Sequence, residues 1–176
     1  MGSERNKRLR MATIWLSGCS GCHMSLLYTD RFLLELAGAI DLVHSPLADG
    51  PEFPDEVDLV LIEGGIGTEE DRERALVARS KSGQLVSLGD CAITGNVPSL
   101  RNPLDRDAII RGVYGAAWQP GQLPKHLPSL LPVHRVVPVD LFIPGCPPDP
   151  ERIRTLLVAV MRGETPKLPP EMLTFG

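Results

Sequence analysis

A chain of 176 residues, 43% of them apolar, can close one hydrophobic core and is short for two. Its 18 basic and 22 acidic residues leave a net charge of -4, with no sustained run of either sign beyond the N-terminal arm, which argues against a duplex nucleic-acid binder. No apolar stretch approaches the roughly 20 residues of a membrane helix and no secretory leader is recognisable, so we expect a cytoplasmic protein whose four cysteines are ligands or catalysts rather than disulfide staples.

Residues 1–10 read as a loose basic arm carrying Arg5, Lys7, Arg8 and Arg10. A first strand is expected over 12–16, followed by a helix over 22–37 with Leu26, Leu27, Leu33, Leu34 and Ala37 at helical spacings and Gly38 as its stop. Short strands follow at 40–44 and 58–62, the second almost wholly apolar, as a strand buried on both faces requires. Glu63-Gly64-Gly65-Ile66-Gly67 makes a loop, and Thr68 to Asp71 reads as a capping box that starts a helix ending near residues 80–81, with Gly83 beyond it. A strand over 84–88 and a short helix over 105–114 come next.

Prolines at 120, 124, 128, 132 and 138 then predict an ordered but irregular excursion. A last strand is expected over 139–143, and Asp149-Pro150 opens a final helix with Ile153, Leu156, Leu157, Val160 and Met161 on one face. Residues 164–176 form an extended, proline-rich tail. Alternating strands and helices imply an α/β fold, a single flavodoxin-like domain over 11–163 with a doubly wound, mostly parallel sheet.

In that fold Cys19, Cys22, Glu63, Cys91 and Cys146 all stand on loops leaving the carboxyl ends of strands, where ligands of open α/β sheets bind. The spacing Cys-x2-Cys-x68-Cys-x54-Cys leaves several uses open. An iron–sulfur cubane takes four thiolates from distant loops. Structural zinc takes four as well, but usually from two compact knuckles, and only one is present. Dithiol redox catalysis would use Cys19 and Cys22 ahead of a helix and leave Cys91 and Cys146 without a task. Unrelated buried cysteines are the remaining reading. The glycines at 18, 21, 89 and 145 favour a bulky ligand, since they let backbone approach it closely.

Taken together, Cys19-Ser20-Gly21-Cys22, Glu63-Gly64-Gly65, Gly89-Asp90-Cys91-Ala92-x-x-Gly95 and Pro144-Gly145-Cys146-Pro147-Pro148 resemble the small subunit of a [NiFe] hydrogenase. The likeness is to its N-terminal flavodoxin-like domain, covers residues 11–163 and keeps the four motifs in order. A homologous module is the cluster-bearing subunit of NADH:quinone oxidoreductase. There two adjacent cysteines stand at the first position, whereas Cys-Ser-Gly-Cys here favours hydrogenase. With no twin-arginine leader, no further cluster domain and no spare cysteine, the chain is similar to the short small subunits of cytoplasmic, NAD(P)-linked bidirectional hydrogenases. Met24 stands where many small subunits have a glutamate, so no proton relay carries over to that position.

The resemblance implies that Cys19, Cys22, Cys91 and Cys146 ligate one [4Fe-4S] cluster. It places heterolysis of hydrogen at a NiFe centre on a partner large subunit, and the end of the electron path on diaphorase subunits with FMN and further iron–sulfur clusters. Glu63 is a candidate for the large-subunit interface or proton traffic; the plainer reading is a carboxylate capping backbone N–H groups. His23, beside Cys22, is superfluous as a ligand, and His44, His126 and His134 show no partner pattern. Trp15 and Trp118 read as packing. Residues 17–25 also resemble a flavodoxin phosphate loop, a competing FMN reading. The proline-spaced 119–138 and the tail are candidates for partner-wrapping surface. A quinone-oxidoreductase-type subunit and a thioredoxin-like oxidoreductase are the alternative functions.

Overall fold

The computed structural model describes residues 8–47, 52–115, 121 and 123–174. Five strands, β1 (Leu9–Trp15), β2 (Ile40–His44), β3 (Val57–Glu63), β5 (Ser82–Leu88) and β7 (Leu141–Ile143), pair in the order β2-β1-β3-β5-β7. Every pairing in this sheet is parallel, and the order is the flavodoxin-like one. A separate two-stranded antiparallel ribbon joins β4 (Ile66–Thr68) to β6 (His126–Leu131).

The alternation along β3 shows why the sheet is covered twice. Leu59 and Leu61 turn to one face, where they meet α1 (Gly21–Leu27), α2 (Arg31–Leu36) and α7 (Pro150–Met161) through Leu26, Phe32, Leu36, Ile153, Leu156 and Leu157. Val60 and Ile62 turn to the other, where they join Ala75 and Ala78 of α3 (Glu69–Lys81) and Leu127, Val133 and Val137. Period-two side chains thus feed two cores from one strand. Three shorter helices, α4 (Asp90–Thr94), α5 (Asn96–Ser99) and α6 (Arg106–Tyr114), follow β5. No helix among the described residues is long and apolar enough to cross a membrane.

Several expectations need correction. The first strand begins at Leu9, inside the stretch expected to be a loose arm, because Arg10 N–H donates to Asp58 Oδ2 at 2.8 Å and the Arg8 guanidinium reaches Ile40 O at 2.7 Å. The single helix over 22–37 is two helices. Thr29 Oγ1 turns back to Leu26 O at 2.7 Å, and Asp30 takes φ 58°, which no helix accommodates. The break shifts the phase, so Phe32 and Leu36 are buried while Leu34 is 78% exposed.

Gly83 is not a helix stop but lies within β5, which follows α3 without a loop. The last strand is shorter than expected because Asp140 Oδ2 itself accepts the Leu85 N–H at 2.7 Å. The proline-spaced excursion also holds more order than expected. Pro128 is tolerated in β6 because that strand pairs on one side only, and Leu127 and Leu130 reach the interior. Asn102 clamps the strand, accepting Leu130 N–H at 2.7 Å and donating to Leu130 O at 3.0 Å. Beyond α7 the chain runs irregularly to a short 3-10 turn, Pro170–Met172.

Two leucines of α2 test the corrected phase. Leu36→Ala should lower stability by about 2–5 kcal/mol, as buried leucine truncations do. Leu34→Ala should stay within about 0.5 kcal/mol. Urea unfolding followed by far-UV circular dichroism separates them.

Candidate metal centre

Parallel pairing sends every strand's carboxyl end the same way, and β1, β3, β5 and β7 are consecutive in the sheet. β1 is followed by Cys19 and by Cys22 in α1, β3 ends on Glu63, β5 is followed by Cys91 in α4 and β7 by Cys146. Four segments therefore meet at one rim, with Glu63 in a strand and Cys22 and Cys91 in helices rather than on the expected loops. Cys22 is 7% exposed at the start of α1, Cys91 is half-buried in α4, and Cys19 and Cys146 are exposed. All four are free thiols.

Their mutual proximity is legible in their acidity. Burial pushes the Cys22 thiol strongly upward, and the charges of Glu63, Cys91, Cys19 and Cys146 add to it. Burial likewise pushes Cys91 up to about 11, with Cys146, Cys19, Glu63 and Asp90 contributing. The two more buried thiols therefore feel the sulfurs around them, and a bound cation would relieve both.

The backbone leaves room for a bulky guest. Gly89 sits at φ +83°, and a Cβ there would overlap Cys22 Sγ. Gly64, at φ +87°, lets the turn after β3 lie against the Cys19 loop; a Cβ there would stand 2.9 Å from the Leu16 and Ser17 carbonyl carbons. Among the described residues no three His, Cys, Asp or Glu side chains are close enough to share a single metal ion. Zinc would need its sulfurs about 2.3 Å from one point, whereas a cubane offers a separate iron to each thiolate. The donor set and the glycine cradle fit a cubane better than a lone ion.

Glu63, 1% exposed, faces the same rim from the end of β3. Its Oε2 accepts the backbone N–H of His23 at 2.9 Å, and the His23 ring stands with Nδ1 2.5 Å from the same oxygen. Glu63 therefore caps α1, as the plainer expectation had it, and adds a buried pair with His23, which is 2% exposed. Sequence reasoning set His23 aside; its only signal was adjacency to Cys22. The carboxylate also disfavours a phosphate at this helix start. The hydroxyls a phosphate would need are engaged, Ser17 donating to Asp71 Oδ2 at 2.8 Å and Ser25 to Pro148 O.

The cysteine loops are tied down from several sides. Ser17 and Gly65 exchange two backbone hydrogen bonds of 3.0 Å. Asp90, directly before Cys91, accepts the N–H of Gly145, directly before Cys146, at 2.6 Å. Arg152 Nη1 donates to Pro144 O at 2.8 Å and also to Thr174 O at 2.8 Å, so the tail is fastened beside the Cys146 loop. Trp15 is partly exposed, and its indole donates to Gly18 O at 3.1 Å. His44 and His134 pack against Phe53 and Phe142, and His126 lies in β6. Trp118 lies outside the described residues.

Residues 19–160 match the family model of the NADH ubiquinone oxidoreductase 20 kDa subunit. The chain is 36% identical over 173 residues to a subunit of the F420-non-reducing hydrogenase of Methanocaldococcus jannaschii, covering 94% of this chain and 60% of that protein. It is 33% identical over 180 residues to the delta subunit of the NAD-reducing hydrogenase HoxS of Cupriavidus necator, covering 96% and 86%. It spans only 56% to 61% of the F420-non-reducing hydrogenase subunits it matches. Among solved structures, one chain of an NAD+-reducing [NiFe]-hydrogenase in the H2-reduced state superposes with a TM-score of 0.88 at 36% identity, covering 97% of this chain and all of that one. A chain of the Ni-Fe-Se hydrogenase from Desulfomicrobium baculatum shares the fold, with a TM-score of 0.59 at 19% identity over 94% of this chain and 69% of that one.

Two outcomes follow for the metal-free chain. Between pH 9.0 and about 11 the folded chain keeps a proton on Cys91 that the unfolded chain has lost, so stability should fall as pH rises through that window. Urea midpoints at stepped pH measure it, and Cys91→Ser should flatten the slope. Gly89→Ala should cost more than about 1 kcal/mol through φ strain alone, read by the same unfolding curves, because Cys22 Sγ must also move aside.

Proposed function

Since the chain belongs to the NADH:ubiquinone oxidoreductase 20 kDa subunit family, we propose that it is the small, electron-transfer subunit of a cytoplasmic [NiFe] hydrogenase. In this reading Cys19, Cys22, Cys91 and Cys146 hold one [4Fe-4S] cluster. The observation that carries it is the convergence of four unpaired thiols, with Cys22 and Cys91 made harder to ionise by burial and by the other sulfurs, at one end of a parallel sheet. A reducing compartment keeps such thiols unpaired. The cluster, when bound, supplies a one-electron carrier between the NiFe site of a large subunit and a diaphorase module with FMN and further clusters. The likeness to a chain of an NAD+-reducing hydrogenase over its whole length supports that choice of partners.

The chain's own residues do the holding. Burial of Cys22 under Gly89 keeps water from the inner side of the rim. Cys19 and Cys146, both exposed, give the outer side to a partner surface. Trp15 at the end of β1, Met24 and Leu27 on α1 and Tyr28 just after it are exposed, apolar enough to be covered. Glu63 works from inside, fixing α1 through the His23 N–H and ring rather than reaching solvent. Its role is to hold the first two ligands. The segments 11–163 and 164–174 act as one unit in this respect, since Arg152 fastens Thr174 to the loop of the fourth ligand.

The test is a metal and acid-labile sulfide count on the tagged chain, isolated anaerobically with its partners. Iron and sulfide with stoichiometric nickel is the expected result. Iron and sulfide without nickel would move the chain to the quinone-oxidoreductase branch of its family. Zinc alone, or no metal with a reversible Cys19–Cys22 disulfide, would sink the cluster reading. A double Cys91→Ser, Cys146→Ser variant should reduce hydrogen-dependent NAD reduction to background, whereas a Cys19/Cys22 dithiol reductase would keep its activity.

A further inference from the structure

Two buried carboxylates stand at this rim, and the second has a geometry of its own. Asp90 is 7% exposed and directly precedes Cys91. Its Oδ1 accepts the Gly145 N–H at 2.6 Å, and its own backbone N–H donates to Gly145 O at 2.9 Å. The residue before the third cysteine thus grips both peptide groups of the residue before the fourth. The neighbouring Gly89 N–H continues the contact to Ile143 O at 2.8 Å. Gly145 itself sits at φ +135°, a conformation open to glycine and to few other residues.

A backbone N–H bound to an ionised carboxylate is a strong, short-range restraint. Asp90 is also placed to act by charge. Among the described residues no lysine or arginine pairs with it. A fixed negative charge in a partly dry site opposes the arrival of an electron, and local charge and hydrogen bonding are what tune an iron–sulfur potential.

We propose that Asp90 is a positioning residue that sets the placement of Cys146 relative to Cys91 and, through its unpaired charge, lowers the reduction potential of the centre they hold. The proposal rests on the cluster reading above. Asp90→Asn keeps an oxygen acceptor for the Gly145 N–H and removes the charge, while Asp90→Ala removes both. Glu63 cannot stand in, since its oxygen is committed to His23.

The wild-type, Asp90→Asn and Asp90→Ala chains are isolated anaerobically in their complexes. Iron and sulfide are counted, and the cluster is titrated by EPR at controlled potential. Asp90→Asn should hold the wild-type iron content with its midpoint moved to more positive potential. Asp90→Ala should lose at least half of its iron and sulfide, or show an altered EPR line shape in what remains. An Asp90→Ala complex with full iron and the wild-type signal overturns the positioning role. An Asp90→Asn complex with an unmoved midpoint, or one that loses iron as fully as Asp90→Ala, overturns the proposal as well. A wild-type complex without iron and sulfide overturns the cluster reading first, and so is told apart from failure of Asp90 alone.

Discussion

Convergence of four thiols on one rim, two of them well covered, is the constraint that the rest of the site answers. A parallel sheet forces the proximity, because consecutive strands deliver their loops to the same end. Burial of Cys22 and Cys91 then makes ionisation harder. Among the described residues no lysine or arginine forms an ion pair with Glu63 or Asp90, and the one basic side chain against Glu63 is the His23 ring. Thiols held protonated in this way would give up their protons as a metal entered, since ligand deprotonation and metal binding are one coupled event.

Neither carboxylate contradicts that logic. Glu63 and Asp90 each turn an oxygen onto a backbone N–H next to a cysteine, His23 in one case and Gly145 in the other. The acids restrain the loops while adding to the negative field. Thiols from separate strands are thereby held by bonds that do not compete for metal. Asp71 does similar work one layer back, where Oδ2 accepts the Ser17 hydroxyl and the N–H groups of Gly67 and Thr68. That single oxygen joins the Cys19 loop to the start of α3.

The sheet and the convergence of the cysteines were legible because both depend on coarse signals. Apolar runs such as 58–62 announce central strands, and glycine-flanked cysteines announce their ends. Placement of the tighter contacts was not legible. Helix α2 lost its expected phase to a local competition, the Thr29 hydroxyl against the backbone, which periodicity does not register. Strand β6 was hidden by Pro128, since a one-sided ribbon forgives a missing N–H that a central strand would not. His23 was passed over because its partner lies forty positions away in sequence, on another strand. Asp90 was seen only as part of a motif; its bond to Gly145 crosses between β5 and β7 loops and has no local signature.

A lineage carrying this chain has little freedom at Gly89. Any side chain there meets the sulfur of Cys22 first, and the backbone already sits at φ +83°. A codon change that replaces this glycine is therefore felt at the thiol rim rather than at the surface. Helix α6 is the opposite case, with no buried residue in nine. Drift in such a chain should run unevenly, with substitutions accumulating along α6 while the turn at Gly89 stays fixed, even among descendants that have changed their partners.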